Sequence, residues 1–229
     1  MEPPEKGMRK QREHMVAQQI EGRGINDPAV LAAMRQVPRE AFVAKKYRDF
    51  AYDDGPLPLI EGQTISQPYV VALMIDSLHV GAGDRVLEIG TGSGYAAAIL
   101  SRIAGQVYSV ERREALVDYA RKNLASLGYD NVEVLHGDGT LGWPEHAPYD
   151  GMIVAAGGPK VPPALKEQLV IGGRLVIPVG AEQRAQRLVR VTRDGEDRYS
   201  LETLSHVRFV PLIGAQGWKK ESRKWLDVF

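Results

Sequence analysis

Apolar residues recur along this chain in two rhythms, and the change between them falls near residue 84. Upstream they stand three and four positions apart. Met8, Val16 and Ile20 lie among charged residues and predict a surface helix over 8–23, ending near Gly22 and Gly24. Asn26-Asp27-Pro28 is a cap followed by proline in the first turn, which predicts a second helix over Pro28–Gln36. Val37–Val43 reads as a turn and a short helix, and Tyr52–Pro58 is too rich in proline and glycine for regular structure. After Pro68, the spacing of Val70, Leu73, Met74 and Leu78 predicts a third helix.

From Asp84 onward, short apolar runs alternate with helical stretches. The runs predict strands over Arg85–Ile89, Gln106–Val110, Val132–Leu135 and Gly151–Ala155, with helices at about Tyr95–Ile103 and Glu114–Leu127. A helix near Pro163–Leu169 leads through Gly172-Gly173 to a strand over Arg174–Val179. Such alternation predicts an α/β fold with a mostly parallel, doubly wound, Rossmann-like sheet. Near the end, Leu188–Val191 and Tyr199–Val210 flank the turn signal Arg193-Asp194-Gly195-Glu196-Asp197. They predict a C-terminal antiparallel hairpin added to the sheet.

The junction after the first of these strands carries the chemistry. Val86, Leu87 and Ile89 lead straight into Gly90, Gly92 and Gly94, and an alanine-rich helix follows. Strand, glycine turn and helix open a nucleotide-binding unit, because glycine lets the backbone turn sharply and approach a ligand. The spacing is G-x-G-x-G, whereas the dinucleotide fingerprint is G-x-G-x-x-G. Glu88 stands two residues before the first glycine, and the next strand ends in Glu111, a carboxylate suited to a ribose diol. No P-loop lysine and no basic cluster awaits a pyrophosphate. The ligand should therefore carry an adenosine-like ribose and a cationic or zwitterionic end near Glu88, which suits S-adenosylmethionine better than NAD. The third strand ends in His136-Gly137-Asp138-Gly139, where Asp138 is either a turn-former or an acceptor for an adenine amine. Glu111 has its own plain reading, as an acid favoured near a helix start.

Composition narrows the classes. Lys plus Arg and Asp plus Glu balance at 29 each, so no global field draws in nucleic acid. The absence of cysteine excludes disulfides, zinc–thiolate sites and cysteine nucleophiles. The five histidines show no metal-ligand spacing and no G-x-S-x-G elbow appears, so neither a metal nor a serine hydrolase is expected. Met-Glu-Pro-Pro-Glu-Lys-Gly at the start lacks a signal-peptide core, and no apolar run approaches the ~18 residues of a membrane span. A cytoplasmic monomer without membrane or nucleic-acid partners is expected. Arg184, Arg187, Arg190 and Arg193 along the hairpin read as a solvated face, and Trp218 and Trp225 as residues that pack across the domain or mediate association.

Several segments together resemble the protein-L-isoaspartate O-methyltransferases, a class I S-adenosylmethionine-dependent family. They are Val37-Pro38-Arg39-Glu40-Ala41-Phe42-Val43, Gly62-Gln63-Thr64-Ile65-Ser66-Gln67-Pro68, the glycine turn, Gly137-Asp138-Gly139 and Ala147-Pro148-Tyr149-Asp150. Gly172–Gly180 and Val207-Arg208-Phe209-Val210-Pro211-Leu212 complete the set. The glycine turn and Asp138 mark the superfamily, while Thr-Ile-Ser-Gln-Pro and Phe-Val-Pro-Leu single out the family.

The resemblance implies a Rossmann-like methyltransferase fold in one domain over 1–229. Residues 1–80 would form a helical, substrate-side segment, 81–180 the cofactor-binding core, and 181–229 the hairpin and tail. It implies Ser66 as the active-site serine, although local sequence alone has Ser66 organising the start of the third helix, with Gln67 as its cap. Thr64, Ile65, Glu88, Gly90, Thr91, Gly92, Gly94, Glu111, Gly137 and Asp138 would hold the cofactor, and Val210, Pro211 and Leu212 would line the substrate groove beside Ser66. Val71 stands where some relatives have histidine and is assigned no role. Ile213-Gly214-Ala215-Gln216 departs from a threonine-containing stretch of some relatives, which leaves Gln216 as a lesser candidate contact. The implied reaction is methyl transfer to the free α-carboxylate of isoaspartyl residues in damaged, unfolded or aged polypeptides, leaving S-adenosylhomocysteine. The resulting ester would cyclise to a succinimide. The alternative is a class I methyltransferase for a small molecule or another substrate.

Overall fold

A computed structural model of the chain describes residues 4–183 and 185–219. The first helix, α1 (Pro4–Met15), continues through a wider turn at Val16–Ile20 and a tight one at Glu21–Arg23. It stops where Gly24 turns left-handed at φ 93°. Met15, Val16 and Ile20 are its buried face. α2 (Pro28–Gln36) has the bounds its cap predicts: the Asp27 carboxylate accepts from Ala29 N at 2.8 Å and Val30 N at 3.1 Å. Tight helical turns at Arg39–Phe42 and Lys45–Phe50 follow. The proline-rich stretch expected to be irregular supplies one short strand, β1 (Leu57–Pro58), which pairs antiparallel with β2 (Thr64–Ile65). α3 (Pro68–Asp76) completes the segment.

The core follows as β3 (Arg85–Ile89), α4 (Tyr95–Leu100), β4 (Gln106–Glu111), α5 (Glu114–Ser126), β5 (Val132–His136), β6 (Tyr149–Val154), α6 (Pro163–Glu167) and β7 (Leu169–Glu182). β8 (Ala185–Arg193) and β9 (Tyr199–Val207) end the sheet. Its order is β5-β4-β3-β6-β7-β8-β9, parallel as far as β7 and antiparallel from β7 to β9. The predicted class therefore stands. Val86, Val107, Ile153 and Val176 pack on one face of the sheet; Leu87, Val110, Met152 and Leu175 pack on the other. Burial on both faces is why these strands read as apolar runs without alternation.

Among the boundaries that differ from the sequence reading, two have causes far away in the sequence. β7 begins at Leu169, because Gly172-Gly173 forms a bulge inside the strand where a break was expected. β9 ends at Val207, short of the predicted Val210: Phe209 N donates to the buried Gln186 Oε1 at 2.9 Å, and the chain leaves the ladder there. The expected arginine face is only partly solvated. Arg193 donates to the Leu169 carbonyl at 2.6 Å and Arg190 pairs with Glu202, while Arg184 lies outside the described residues. Trp218 packs back onto the domain, its Nε1 donating to Gly157 O at 2.9 Å; Trp225 also lies outside the described residues.

Candidate active site

A cavity of about 500 Å³ opens beyond the carboxyl ends of β3, β4 and β6, where open α/β sheets bind ligands. Its floor is the glycine turn. Gly92 stands at φ 55°, with Leu59 of the overlying loop 3.6 Å from where a Cβ would lie. Gly94, at φ 88°, starts α4 and turns away from the cavity; a Cβ there would press on Leu124 at 3.2 Å. Gly90, Thr91 and Gly92 line the wall.

Glu111 organises this floor from the tip of β4. One carboxylate oxygen accepts from Gly92 N at 3.0 Å and the other from Arg113 N at 2.9 Å. The acid thus clamps the glycine turn to the start of α5, and its remaining lone pairs are left for a ligand. Helix-start capping and cavity lining turn out to be compatible here.

Glu88 lies deeper and is only 1% exposed. Its carboxyl accepts from the Ser109 hydroxyl, which shares a 2.6 Å hydrogen bond with the Thr91 hydroxyl. Ser109 escaped the sequence reading, yet a signal existed: it interrupts the apolar run Val107–Val110, and in the structure it stands in register with Glu88. Burial pushes the Glu88 carboxyl from the usual 4.5 up to about 8; the Ser109 bond opposes the rise and the Glu111 charge adds to it. The folded chain therefore holds this proton where the unfolded chain has released it. The group's contribution to stability is full below the unfolded value and is lost as pH climbs through the folded one, from 4.5 to about 8. Glu88→Gln should remove that slope, so the ligand-free variant gains melting temperature over wild type as pH rises through this window. Parallel curves of melting temperature against pH for the two proteins would overturn the assignment.

The opposite wall comes from the N-terminal segment. Thr64 and Ile65 line it, and Ser66, half-buried, follows directly. The Ser66 hydroxyl takes no hydrogen bond among the described residues, and Gln67 caps α3 with its backbone alone. The local reading of Ser66 as a helix organiser thus finds no bond to carry it. The Ser66 carbonyl, by contrast, accepts from Arg39 at 2.8 Å. Val71, assigned no role, is buried on the same wall.

The third wall is the segment after β9. Val210 O accepts from Gly157 N at 2.7 Å, and Leu212 N donates to Gly157 O at 2.8 Å. The Val210 N–H and the Pro211 carbonyl take no partner among the described residues. Gly137 and Asp138 stand one layer behind the cavity, whose wall at β5 is Gly139. Asp138 caps Thr140 N at 2.9 Å and accepts from Ala215 N at 2.7 Å, so it fastens the C-terminal loop to the sheet. Gln216 likewise points away from the cavity, its Oε1 accepting from Ala164 N at 3.1 Å.

The model of the family "Protein-L-isoaspartate(D-aspartate) O-methyltransferase" matches residues 10–217. "Protein-L-isoaspartate O-methyltransferase 2" of Pelobacter propionicus is 66% identical over 207 residues, covering 90% of this chain and 92% of the relative. "Protein-L-isoaspartate O-methyltransferase 1" of Rhodopseudomonas palustris is 64% identical over 208 residues, 91% and 85% of the two chains. Among solved structures, a protein-L-isoaspartate O-methyltransferase aligns with TM-score 0.81 at 32% identity, over 92% of this chain and 67% of that one. A second, described as a candidate member from Plasmodium falciparum in complex with S-adenosyl-L-homocysteine, aligns with TM-score 0.75 at 26% identity, over 88% and 98%.

Proposed function

The chain belongs to the protein-L-isoaspartate(D-aspartate) O-methyltransferase family, and from that membership we propose how its cavity works. It is an S-adenosylmethionine-dependent enzyme that methylates isoaspartyl residues of polypeptides. S-adenosylmethionine, when bound, supplies an electrophilic methyl group on a sulfonium. The residues suit that donor: Glu88 is a buried carboxyl with no cation among the described residues acting on it, and Glu111 keeps lone pairs beside the glycine turn. Glu88 answers an ammonium end, Glu111 a ribose diol, and the Gly90–Gly92 backbone admits the ligand closely. Gly139 takes the adenine side, with Asp138 holding that wall in place.

An isoaspartyl residue runs its chain through the side-chain carbonyl and leaves its α-carboxylate free. Such a group has a pKa of about 4, so it is already a nucleophile at neutral pH and needs no general base. What remains for the protein is alignment, and orientation of this kind contributes up to ~7–11 kcal/mol in ideal intramolecular cases. Ser66 donates to one carboxylate oxygen and leaves the other to attack. The Val210 N–H and Pro211 carbonyl offer backbone bonds to an extended polypeptide, which suits substrates of many sequences.

The observation that carries this reading is a Ser66 hydroxyl, uncommitted among the described residues, on the lining of an acid-lined, glycine-floored cavity. We also propose that the protein acts as a cytoplasmic monomer on unfolded or aged proteins, without nucleic-acid or membrane partners. Balanced charge and the lack of cysteine support that reading, and no helix among the described residues is long and apolar enough to cross a membrane.

The test uses labelled S-adenosylmethionine and matched peptides that differ only in aspartyl or isoaspartyl linkage. Base-labile methyl ester on the isoaspartyl peptide alone is expected. Ester on both peptides, or on neither, would overturn the proposal.

A further inference from the structure

Among the described residues, Arg39 is the largest side chain fully withdrawn from solvent. Its guanidinium is committed in three directions. Nε donates to the Ala51 carbonyl at 2.8 Å, Nη2 donates to the Ser66 carbonyl at 2.8 Å, and the planar group lies 4.8 Å from the centre of the Tyr95 ring. Among the described residues, Nη1 is buried without a hydrogen-bond partner. A desolvated cation with an orphan N–H is an unfavourable way to fill a core, and such exceptions call for an explanation.

The three contacts supply one. Ser66 presents the hydroxyl on the acceptor side of the cavity. Tyr95 is the first residue of α4, directly after Gly94, and moves with the turn that forms the donor side. Ala51 is buried and follows directly on the tight turn Lys45–Phe50. Methyl transfer needs a carboxylate oxygen, a carbon and a sulfur in line, so the spacing between these two sides governs the rate.

We propose that Arg39 is a positioning residue, one buried guanidinium that fixes the Ser66 backbone relative to the first turn of α4 and so sets the distance from acceptor to donor. A lysine cannot replace it, because a single ammonium lacks the planar fork that reaches the Ala51 and Ser66 carbonyls from separate nitrogens while its centre lies 4.8 Å from the Tyr95 ring. The inference rests on the reading of Ser66 as the carboxylate-binding group.

The experiment compares Arg39→Lys, which keeps the charge, and Arg39→Met, which keeps most of the stem, with wild type. Val30→Ala, a buried change in α2 at a residue that does not line the cavity, serves as a stability control. Well below each protein's melting temperature, both Arg39 variants should lose about tenfold to a hundredfold in kcat, as expected for a sub-ångström to ångström misplacement. S-adenosylmethionine affinity should stay within about threefold, since the bonds that hold it are untouched. Val30→Ala should lose melting temperature and keep its kcat. The double variant Ser66→Ala/Arg39→Met should be about as slow as Ser66→Ala alone, because Arg39 acts through that serine.

Folded Arg39 variants with kcat within about twofold of wild type would overturn the inference, as would losses that multiply in the double variant. An equal loss of kcat in Val30→Ala would do the same. If Arg39→Met does not fold, Arg39→Lys decides. A Ser66→Ala enzyme at the wild-type rate would instead sink the reading of Ser66, which separates the two failures.

Discussion

Ser66→Ala is expected to lower kcat by roughly one to two orders of magnitude while S-adenosylmethionine binds as before. The lost interaction is a hydroxyl donating to an anion, worth about 1.5–3 kcal/mol, and each ~1.4 kcal/mol is tenfold in rate. The split between binding and turnover follows from position. Ser66 stands on the wall opposite the glycine turn, and its hydroxyl takes no bond within the described chain, so its removal leaves no buried group orphaned and disturbs no donor contact. Stability should change little for the same reason. Single-turnover methylation of an isoaspartyl peptide, with isothermal titration of the donor, measures both quantities. A variant as fast as wild type removes the serine from the mechanism.

Glu111→Gln should act on the other half of the reaction, weakening S-adenosylmethionine by about a hundredfold or more. Both oxygens of this carboxylate already accept backbone N–H groups, from Gly92 and from Arg113. An amide keeps one acceptor and turns its NH₂ toward the second N–H, so one clamp is replaced by two opposed donors. The one charge-assisted bond lost, at about 1.5–3 kcal/mol, sets the scale, with the opposed donors and the ribose contact added to it. At saturating donor, kcat should recover much of its value, because Ser66 and its wall are unaltered. Titration calorimetry decides the point, and a dissociation constant within about threefold of wild type would refute it.

The α/β core was legible because its signals are local. Strands covered on both faces must be apolar throughout, so β3, β4 and β6 announce themselves as runs, and Asp27 before Pro28 marks the start of α2 by its own hydrogen bonds. The misread boundaries depend on partners far away in sequence. Gly172-Gly173 resembles a break until β6 is beside it, and Phe209 leaves the sheet because Gln186 holds its N–H. The same division runs through the site. The glycine turn, Glu88 and Glu111 follow from strand ends, and family resemblance added Ser66. Asp138 was legible as an acid at a strand tip, but its commitment to Thr140 and Ala215 was not. Arg39 was beyond the pattern altogether: nothing in Val-Pro-Arg-Glu says that the arginine is buried, or that it reaches a carbonyl 27 residues away.

Glu88 keeps its proton at neutral pH only while no cation faces it. Seating an ammonium group there exchanges that proton for the ligand's charge, so donor uptake should acidify the medium. Calorimetric heats collected in buffers of unlike ionisation enthalpy would then diverge, and affinity would climb toward alkaline conditions before levelling off above about 8. On the proposed seating of the ammonium at Glu88, the enzyme should grip its methyl source more or less firmly with the acidity of its surroundings, before any damaged polypeptide arrives.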